Sequence, residues 1–148
     1  MPEKETVERA EQDRREGKSP GTQAGEFVKE EIEHIREGKH GARSAKQAIA
    51  IGLSKARRAG VELPPPEKGK TSEETRKQAA RDAREGQSSS KSKPSAKRSR
   101  ASSKALKREG RAAASKTALS RHATKAASKR SKAERSSSAR KAARTRKK

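Results

Sequence analysis

The sequence predicts a mostly α-helical protein: a small helical hairpin flanked by marginal, solvated helices, with a long basic tail that is disordered or conditionally helical. Three observations predict this class. Large apolar residues recur at helical spacing only between residues 24 and 63. Hydrophobic residues make up 26% of the 148 residues, whereas a typical globular domain has about 45–50%. The net charge is +22, and low hydrophobicity with high net charge is typical of disorder.

Four segments are predicted along the chain. Residues 1–21 form a charged N-terminal helix and linker, residues 22–66 an αα-hairpin module, residues 67–86 a solvated helix, and residues 87–148 a low-complexity basic tail. The tail holds 22 Lys and Arg against two acidic residues, while the rest of the chain is nearly neutral. Because like charges at this density repel one another, the tail is expected to act as an arm for an anionic partner.

The first helix is predicted over residues 2–16. This segment has good helix formers and Glu–Arg pairs at i,i+4 spacing, but its only apolar positions after the start are Val7 and Ala10. We therefore expect a marginal helix that ends at Gly17, followed by a linker over residues 17–21.

The next helix is predicted over residues 24–37. Val28, Ile32 and Ile35 share one face at helical spacing. Gly38 is expected to end this helix. The opposite, solvated face is expected to hold Glu26, Lys29, Glu30, Glu33, Arg36 and Glu37.

The second helix of the hairpin is predicted to begin at Ser44. Ser44 and Gln47 have the spacing of a capping box, and Gly60 is the expected stop. One stripe of small and aliphatic side chains is expected to pack on the preceding helix: Ala45, Ala48, Ile49, Gly52, Leu53 and Ala56. Four cations are expected to remain outside as a basic rim and to form a secondary contact with nucleic acid: Lys46, Lys55, Arg57 and Arg58.

A solvated helix is predicted over residues 72–85. Thr71 and Glu74 match a capping box, and Gly86 is the expected stop. This segment has no large apolar residue, so we expect it to fray in water. From Gln87 onward the chain is almost entirely Ser, Ala, Lys and Arg, without a fixed repeat.

Two resemblances follow from these segments. Residues 25–60, GEFVKEEIEHIREGKHGARSAKQAIAIGLSKARRAG, resemble a family of small, basic bacterial proteins of unknown function. The most specific part runs from Ser44 to Gly60 and contains KQAIAIGLS and ARRAG. The tail resembles the Lys- and Ala-rich tails of linker histones and of some bacterial chromatin-associated proteins. The first resemblance implies no established activity, and the second implies a DNA-binding polycation.

No catalytic or cofactor site is predicted. The sequence has no Cys, no phosphate-binding glycine motif and no G-x-S-x-G motif, so we expect that the protein is not an enzyme. His34 lies at metal-ligand spacing from Glu30 and Glu37, but a solvated pair is the favoured interpretation. No metal and no cofactor is therefore predicted.

The predicted function is sequence-independent binding and compaction of double-stranded DNA by phosphate neutralisation, as in nucleoid-associated or linker-histone-like proteins. An RNA-binding or ribosome-associated protein is one alternative, and a protein-interaction module with an accessory tail is another. The hairpin at residues 24–63 is expected to add a second contact or a self-association surface. A cytoplasmic, nucleoid-associated location is expected, with no membrane partner. The predicted phosphate contacts are Lys97, Arg98, Arg100, Lys104, Lys107, Arg108, Arg111, Lys129, Arg130, Lys132, Arg140, Lys141, Arg144, Arg146, Lys147 and Lys148.

Overall fold

A computed structural model describes residues 1–88, 93 and 95–147 of the chain. Within these ranges the protein is mostly α-helical, as predicted, and has no β-strand. None of the described helices is both long and apolar enough to cross a lipid bilayer. The helices are α1 (Lys4–Arg15), α2 (Pro20–Glu37), α3 (Ala45–Arg58), α4 (Glu73–Gln87), α5 (Ala96–Lys107), α6 (Lys116–Ser128) and α7 (Lys132–Arg146), with a 3₁₀ turn at Ala112–Ala114.

Helices α2 and α3 form the predicted hairpin at the centre of the fold. Ile35 near the end of α2 packs with Ala48 near the start of α3, and Phe27 packs with Ala56 further along, so the helices run antiparallel. Between these contacts, Gly52 lies so close to α2 that an added Cβ would overlap its backbone. The stripe of small residues on α3 therefore allows the two backbones to approach closely.

Helix α2 begins earlier than the predicted linker allows. Ser19 is the N-cap, and its hydroxyl accepts a hydrogen bond from the Thr22 N–H at 3.3 Å. Pro20 occupies the first helical position, where its fixed φ suits a helix. Its missing N–H costs no hydrogen bond there, because an N–H at this position has no acceptor within the helix. Ser19-Pro20 is thus a start signal, and the last two residues of the expected linker at residues 17–21 belong to the helix. Gly38 ends α2 with a φ of 80°.

The flanking helices α1 and α4 are packed, so the prediction that they are solvated is wrong. Helix α1 lies along α2 and buries Thr6 and Ala10, and Ala10 packs with Phe27. Helix α4 lies along α3 and buries Ala79 and Asp82. Alanine and short, partnered polar side chains fill these shallow interfaces, which is why a search for large apolar residues missed them.

The prediction of a disordered tail is also wrong for the described part of residues 87–148, which forms three helices and the 3₁₀ turn. Ala113 and Ala114 in this turn are buried against Ile35 and Ala48 of the hairpin. Three consecutive alanines supply apolar surface without bulk. This short stretch therefore packs in the core although the segments on either side are highly charged.

Backbone hydrogen bonds fix the same part of the tail to the turn between α2 and α3. The Gly41 N–H donates to the Leu106 carbonyl at 2.9 Å, and the Ala42 N–H donates to the Gly110 carbonyl at 3.1 Å. We call residues 106–114 the docking segment. Helix α5, which ends within this segment, and helices α6 and α7, which follow it, bury none of their own residues.

Candidate nucleic-acid interface

Helix α5 presents most of its cations on one face. Arg100, Lys104, Lys107 and Arg108 follow the i, i+4, i+7, i+8 pattern and line a shallow surface groove. Lys97, three residues before Arg100, extends the same face. Like charges four residues apart on a helix repel one another. An anion bound along this face relieves that repulsion.

The predicted phosphate contacts are exposed wherever the structure describes them. Lys148 lies outside the described residues. Lys97, Arg98, Arg100, Lys104 and Lys107 are on α5, with Arg108 at its C-terminal cap. Arg111 precedes the 3₁₀ turn, and Lys129 and Arg130 join α6 to α7. Helix α7 carries Lys132, Arg140, Lys141, Arg144 and Arg146, and Lys147 follows it.

In the described part of the tail, cations greatly outnumber carboxylates. Over residues 95–147, as far as they are described, no Lys or Arg forms an ion pair with a carboxylate. The two acidic side chains of that range have other partners. Glu109 faces Arg43 of the hairpin turn at 3.8 Å, and Glu134 accepts a hydrogen bond from the Ser131 N–H at 2.8 Å. The tail cations are therefore available to an external polyanion.

Helix α7 differs from α5 because its cations are spread around the whole helix. A capping box at Ser131 and Glu134 begins it, with each side chain accepting from the other residue's backbone N–H. Those hydrogen bonds from Ser131 hold the pKa of Glu134 below its ordinary value. This box was not predicted, although its S-x-x-E spacing is visible in the sequence. The predicted phosphate contacts also left out five exposed cations of the described tail: Lys93 before α5, Lys116, Arg121 and Lys125 on α6, and Arg135 on α7.

The expectation of an exposed basic rim on α3 is wrong for two of its four residues, Lys55 and Arg57. Lys46 is exposed. Arg57 is buried, and its guanidinium donates to the Leu63 and Pro64 carbonyls at 3.2 Å each, while burial lowers its pKa.

The other two rim residues have internal carboxylate partners. Arg58 Nε lies 2.8 Å from Asp82 Oδ1 of α4. Lys55 Nζ lies 3.2 Å from Glu30 Oε1 and 2.7 Å from Glu31 Oε2. Lys55 and Arg57 therefore act inside the bundle, whereas Lys46 and Arg58 are exposed, and Arg58 also pairs with α4.

Glu30 is buried, contrary to its predicted place on a solvated face. Its side chain accepts from the Glu3 N–H at 3.0 Å, at the start of α1, and from Lys55. Burial alone would raise the pKa of Glu30, but hydrogen bonds from Thr6, Glu3 and Lys55 together hold it below its ordinary value. Conversely, burial opposes the charge of Lys55, but the two carboxylates raise its pKa.

A cluster of metal-ligand side chains lies at the C-terminal end of α2. Glu31, His34 and His40 each place a ligand atom within 4.8 Å of the other two. The interpretation of His34 as a solvated partner of Glu30 or Glu37 is wrong, because His34 Nε2 lies 2.9 Å from Glu3 Oε1. Spacing along one helix suggested His34, but it did not reveal Glu31 and His40.

Comparison with known proteins gives a similarity over part of the chain. Residues 4–68 match the model of a family described as a family of unknown function (DUF6496). The match includes α1 and the hairpin, with the resembling stretch at residues 25–60, and leaves α4 and the tail outside. No curated protein and no solved structure matches the chain. The chain is therefore similar, over less than half of its length, to an uncharacterised family.

Proposed function

We propose that this protein binds double-stranded DNA without sequence preference and compacts it, in the manner of nucleoid-associated or linker-histone-like proteins. One observation carries the proposal: the described tail presents exposed Lys and Arg side chains that no carboxylate neutralises. Each cation placed near a phosphate releases condensed counterions, which makes binding favourable and dependent on salt. Lys contributes a point charge, and Arg contributes a planar fork that fits phosphate oxygens.

The arrangement of the tail supports compaction as well as binding. The docking segment fixes the middle of the tail to the hairpin, and the exposed helices α5 and α7 lie on either side of it. Basic helices before and after a docked segment of the chain give a single molecule more than one contact with phosphate backbones. Such a molecule can hold two segments of duplex together, which is what compaction requires.

The aromatic content favours duplex over unpaired bases. Proteins that bind single strands stack the bases on aromatic side chains. The chain has no Trp or Tyr, and its only Phe, Phe27, is fully buried in the hairpin. Phosphate contacts are therefore the main interaction that the tail can offer.

The proposal is tested by removing the α5 charges alone. Arg100, Lys104, Lys107 and Arg108 are replaced by Gln in the full chain. The matched control replaces four exposed cations of the packed helices and the loop, Lys4, Arg14, Lys29 and Lys68, and lowers the net charge equally. Fluorescence anisotropy on a random-sequence duplex should show at least roughly tenfold weaker binding for the α5 variant than for the control.

Competition identifies the polymer. Unlabelled duplex DNA and structured RNA are added to the preformed complex at one salt concentration. The proposal expects duplex DNA to compete better than RNA. Equal weakening of both variants would overturn the assignment of the interface to α5, and stronger competition by RNA would overturn the choice of DNA.

A further inference from the structure

A polar cluster outside the proposed interface lies where α2 turns into α3. Glu31 and His34 are three residues apart and therefore share one face of α2. Gly38 then adopts a φ of 80°, which turns the chain back and brings His40 over that face. The ligand atoms of the three side chains lie within 4.8 Å of one another.

The three side chains are largely removed from water. Glu31 has 1% of its side chain exposed, His34 has 14% and His40 has 16%. A carboxylate buried to this degree needs a cationic partner. Lys55 provides one at Glu31 Oε2 and leaves Oε1 to face His40.

The contacts of His40 require a positive ion between two acceptors. His40 Nδ1 lies 3.0 Å from the Gly41 carbonyl, which only accepts, so Nδ1 carries a hydrogen. In the neutral ring, Nε2 then presents a lone pair, and it lies 3.0 Å from Glu31 Oε1. Two lone pairs at this distance need a proton or a metal ion between them.

Both histidines have the outer contacts that orient metal ligands. Ligating imidazoles donate their other N–H to a carbonyl or a carboxylate. His40 donates to the Gly41 carbonyl, and His34 Nε2 lies 2.9 Å from Glu3 Oε1. The Nε2–Oε1 separation of 3.0 Å is also compatible with two ligands on one ion, because each lies about 2.0–2.1 Å from Zn²⁺.

The local charge favours a dication. The carboxylates of Glu3 and Glu31 contact the rings, and that of Glu30 shares Lys55 with Glu31. Two ammonium groups, from Lys39 and Lys55, pair with these three carboxylates. Two imidazoles with one carboxylate are a donor set for Zn²⁺ and its neighbours, whereas Mg²⁺ and Ca²⁺ prefer oxygen ligands alone.

We propose that Glu31, His34 and His40 bind one divalent transition-metal ion, Zn²⁺ in the first place. The site does not depend on DNA binding. Its position gives it a consequence for the tail, because Gly41 and Ala42, next to His40, hydrogen-bond to the docking segment. A metal that fixes His40 on α2 also fixes the turn that holds the tail. Bound Zn²⁺ should therefore slow amide exchange at Gly41 and Ala42.

The test is a calorimetric titration of Zn²⁺ into the full chain, after removal of any affinity tag and of bound metal by a chelator. The variants are His34→Gln and His40→Gln. The matched control is His122→Gln, which changes the third histidine of the chain, on α6 and outside the cluster. We expect one Zn²⁺ per chain, at least about tenfold weaker binding in either cluster variant, and unchanged binding in the control.

Several outcomes would overturn the site. These are a wild-type chain without stoichiometric binding, cluster variants that bind as tightly as wild type, or a control that loses as much as they do. Far-UV circular dichroism of each variant separates loss of ligand from loss of fold. If both cluster variants unfold, Co²⁺ titration of the wild-type chain decides. A ligand-field spectrum typical of imidazole coordination supports the site, and its absence contradicts it.

Discussion

Single buried charges determine how tightly the bundle is held. Lys55 of α3 reaches across to Glu30 and Glu31 of α2, and Glu30 also accepts from the first residues of α1. A buried ion pair contributes little by itself, because desolvation offsets most of the attraction. Removing only one partner of the pair is costly, because the remaining charge stays buried without its partner. Lys55 thus connects three helices through two carboxylates.

Replacement of Lys55 by Met should destabilise the protein strongly. Two buried carboxylates lose their cation, so we expect the free energy of unfolding to fall by about 3 kcal/mol. Urea denaturation followed by circular dichroism measures it. Lys46→Met, on the exposed side of the same helix, is the control and should change stability by less than about 0.5 kcal/mol. Similar losses in the two variants would contradict the role of Lys55.

The dependence of stability on pH tests Glu30 separately. Its folded-state pKa lies below the ordinary value of 4.5. The stability that it contributes is thus fully present above pH 4.5 and is lost as the pH falls through the folded-state pKa. We expect unfolding free energy to decrease from about pH 5 to about pH 3 in the wild type. Glu30→Gln should flatten this dependence, and an unchanged slope would count against it.

Gly41 is the residue that lets the tail dock. A methyl group there would overlap the carbonyls of Glu109 and Gly110. Gly41→Ala should therefore cost about 1–3 kcal/mol and speed amide exchange at Ala42, which donates to Gly110. Gly25→Ala is the control, since a Cβ at Gly25 meets no atom within 4 Å. It should stabilise α2 by about 0.4–1 kcal/mol. Unchanged exchange at Ala42 would contradict tight docking.

At the scale of elements, serine side-chain caps mark where most of the helices begin. Serine hydroxyls accept from backbone N–H groups at the starts of α2, α3, α4, α6 and α7. The predicted cap at Ser44 is present, and its hydroxyl accepts from the Gln47 N–H. The predicted box at Thr71 is displaced by one residue, because Ser72 caps α4. Where several hydroxyl residues are adjacent, spacing alone does not choose between them.

Helix α7 depends on its cap more than the packed helices do. It buries no residue, and it carries cations on every side, so its helical state rests on local interactions. Ser131→Ala removes the capping box and should lower the stability of α7 by about 1 kcal/mol. Hydrogen exchange over the first turn of α7 measures the change. Ser136→Ala, exposed within the same helix, should leave exchange unchanged or slower, and equal fraying of both variants would contradict the cap's role.

Periodicity predicted the hairpin, but it could not predict what covers it. The spacing of Val28, Ile32 and Ile35 indicated α2, and the small residues of α3 indicated close packing. The covering elements are α1, α4 and the 3₁₀ turn, whose buried side chains are alanine or short and polar. Alanine adds little to a hydrophobicity profile. Its burial is decided by shape and by long-range contacts that a single sequence does not display.

The candidate interface was predictable from composition, whereas its geometry was not. Charge density alone indicated the tail cations. The face of Arg100, Lys104, Lys107 and Arg108 requires that α5 be a helix, which the tail's low complexity did not establish. The internal role of Lys55 arises from pairing between helices, and that of Arg57 from hydrogen bonds to the Leu63 and Pro64 carbonyls. Sequence patterns do not separate such a partnered cation from a solvated one.

At the scale of the whole molecule, the chain has two parts that differ in charge. The docking segment belongs to the second part and packs it against the first. Residues 1–86 are nearly neutral and contain the bundle of α1–α4 except for Gln87, the last residue of α4. Residues 87–148 contain almost all of the excess positive charge. The docking segment places Ala113 and Ala114 in the hairpin core. Deletion of the whole tail therefore also opens the core, and the tail's function is better tested by replacing its charges.

The salt dependence of DNA binding tests the central claim most directly. If the tail neutralises about ten phosphates, log K plotted against log salt concentration should have a slope near −9. Replacement of Arg100, Lys104, Lys107 and Arg108 by Gln should make the slope shallower by about 3.6, while the matched control should leave it nearly unchanged. A wild-type slope shallower than about −3 would contradict the claim, as would identical slopes for the α5 variant and the wild type.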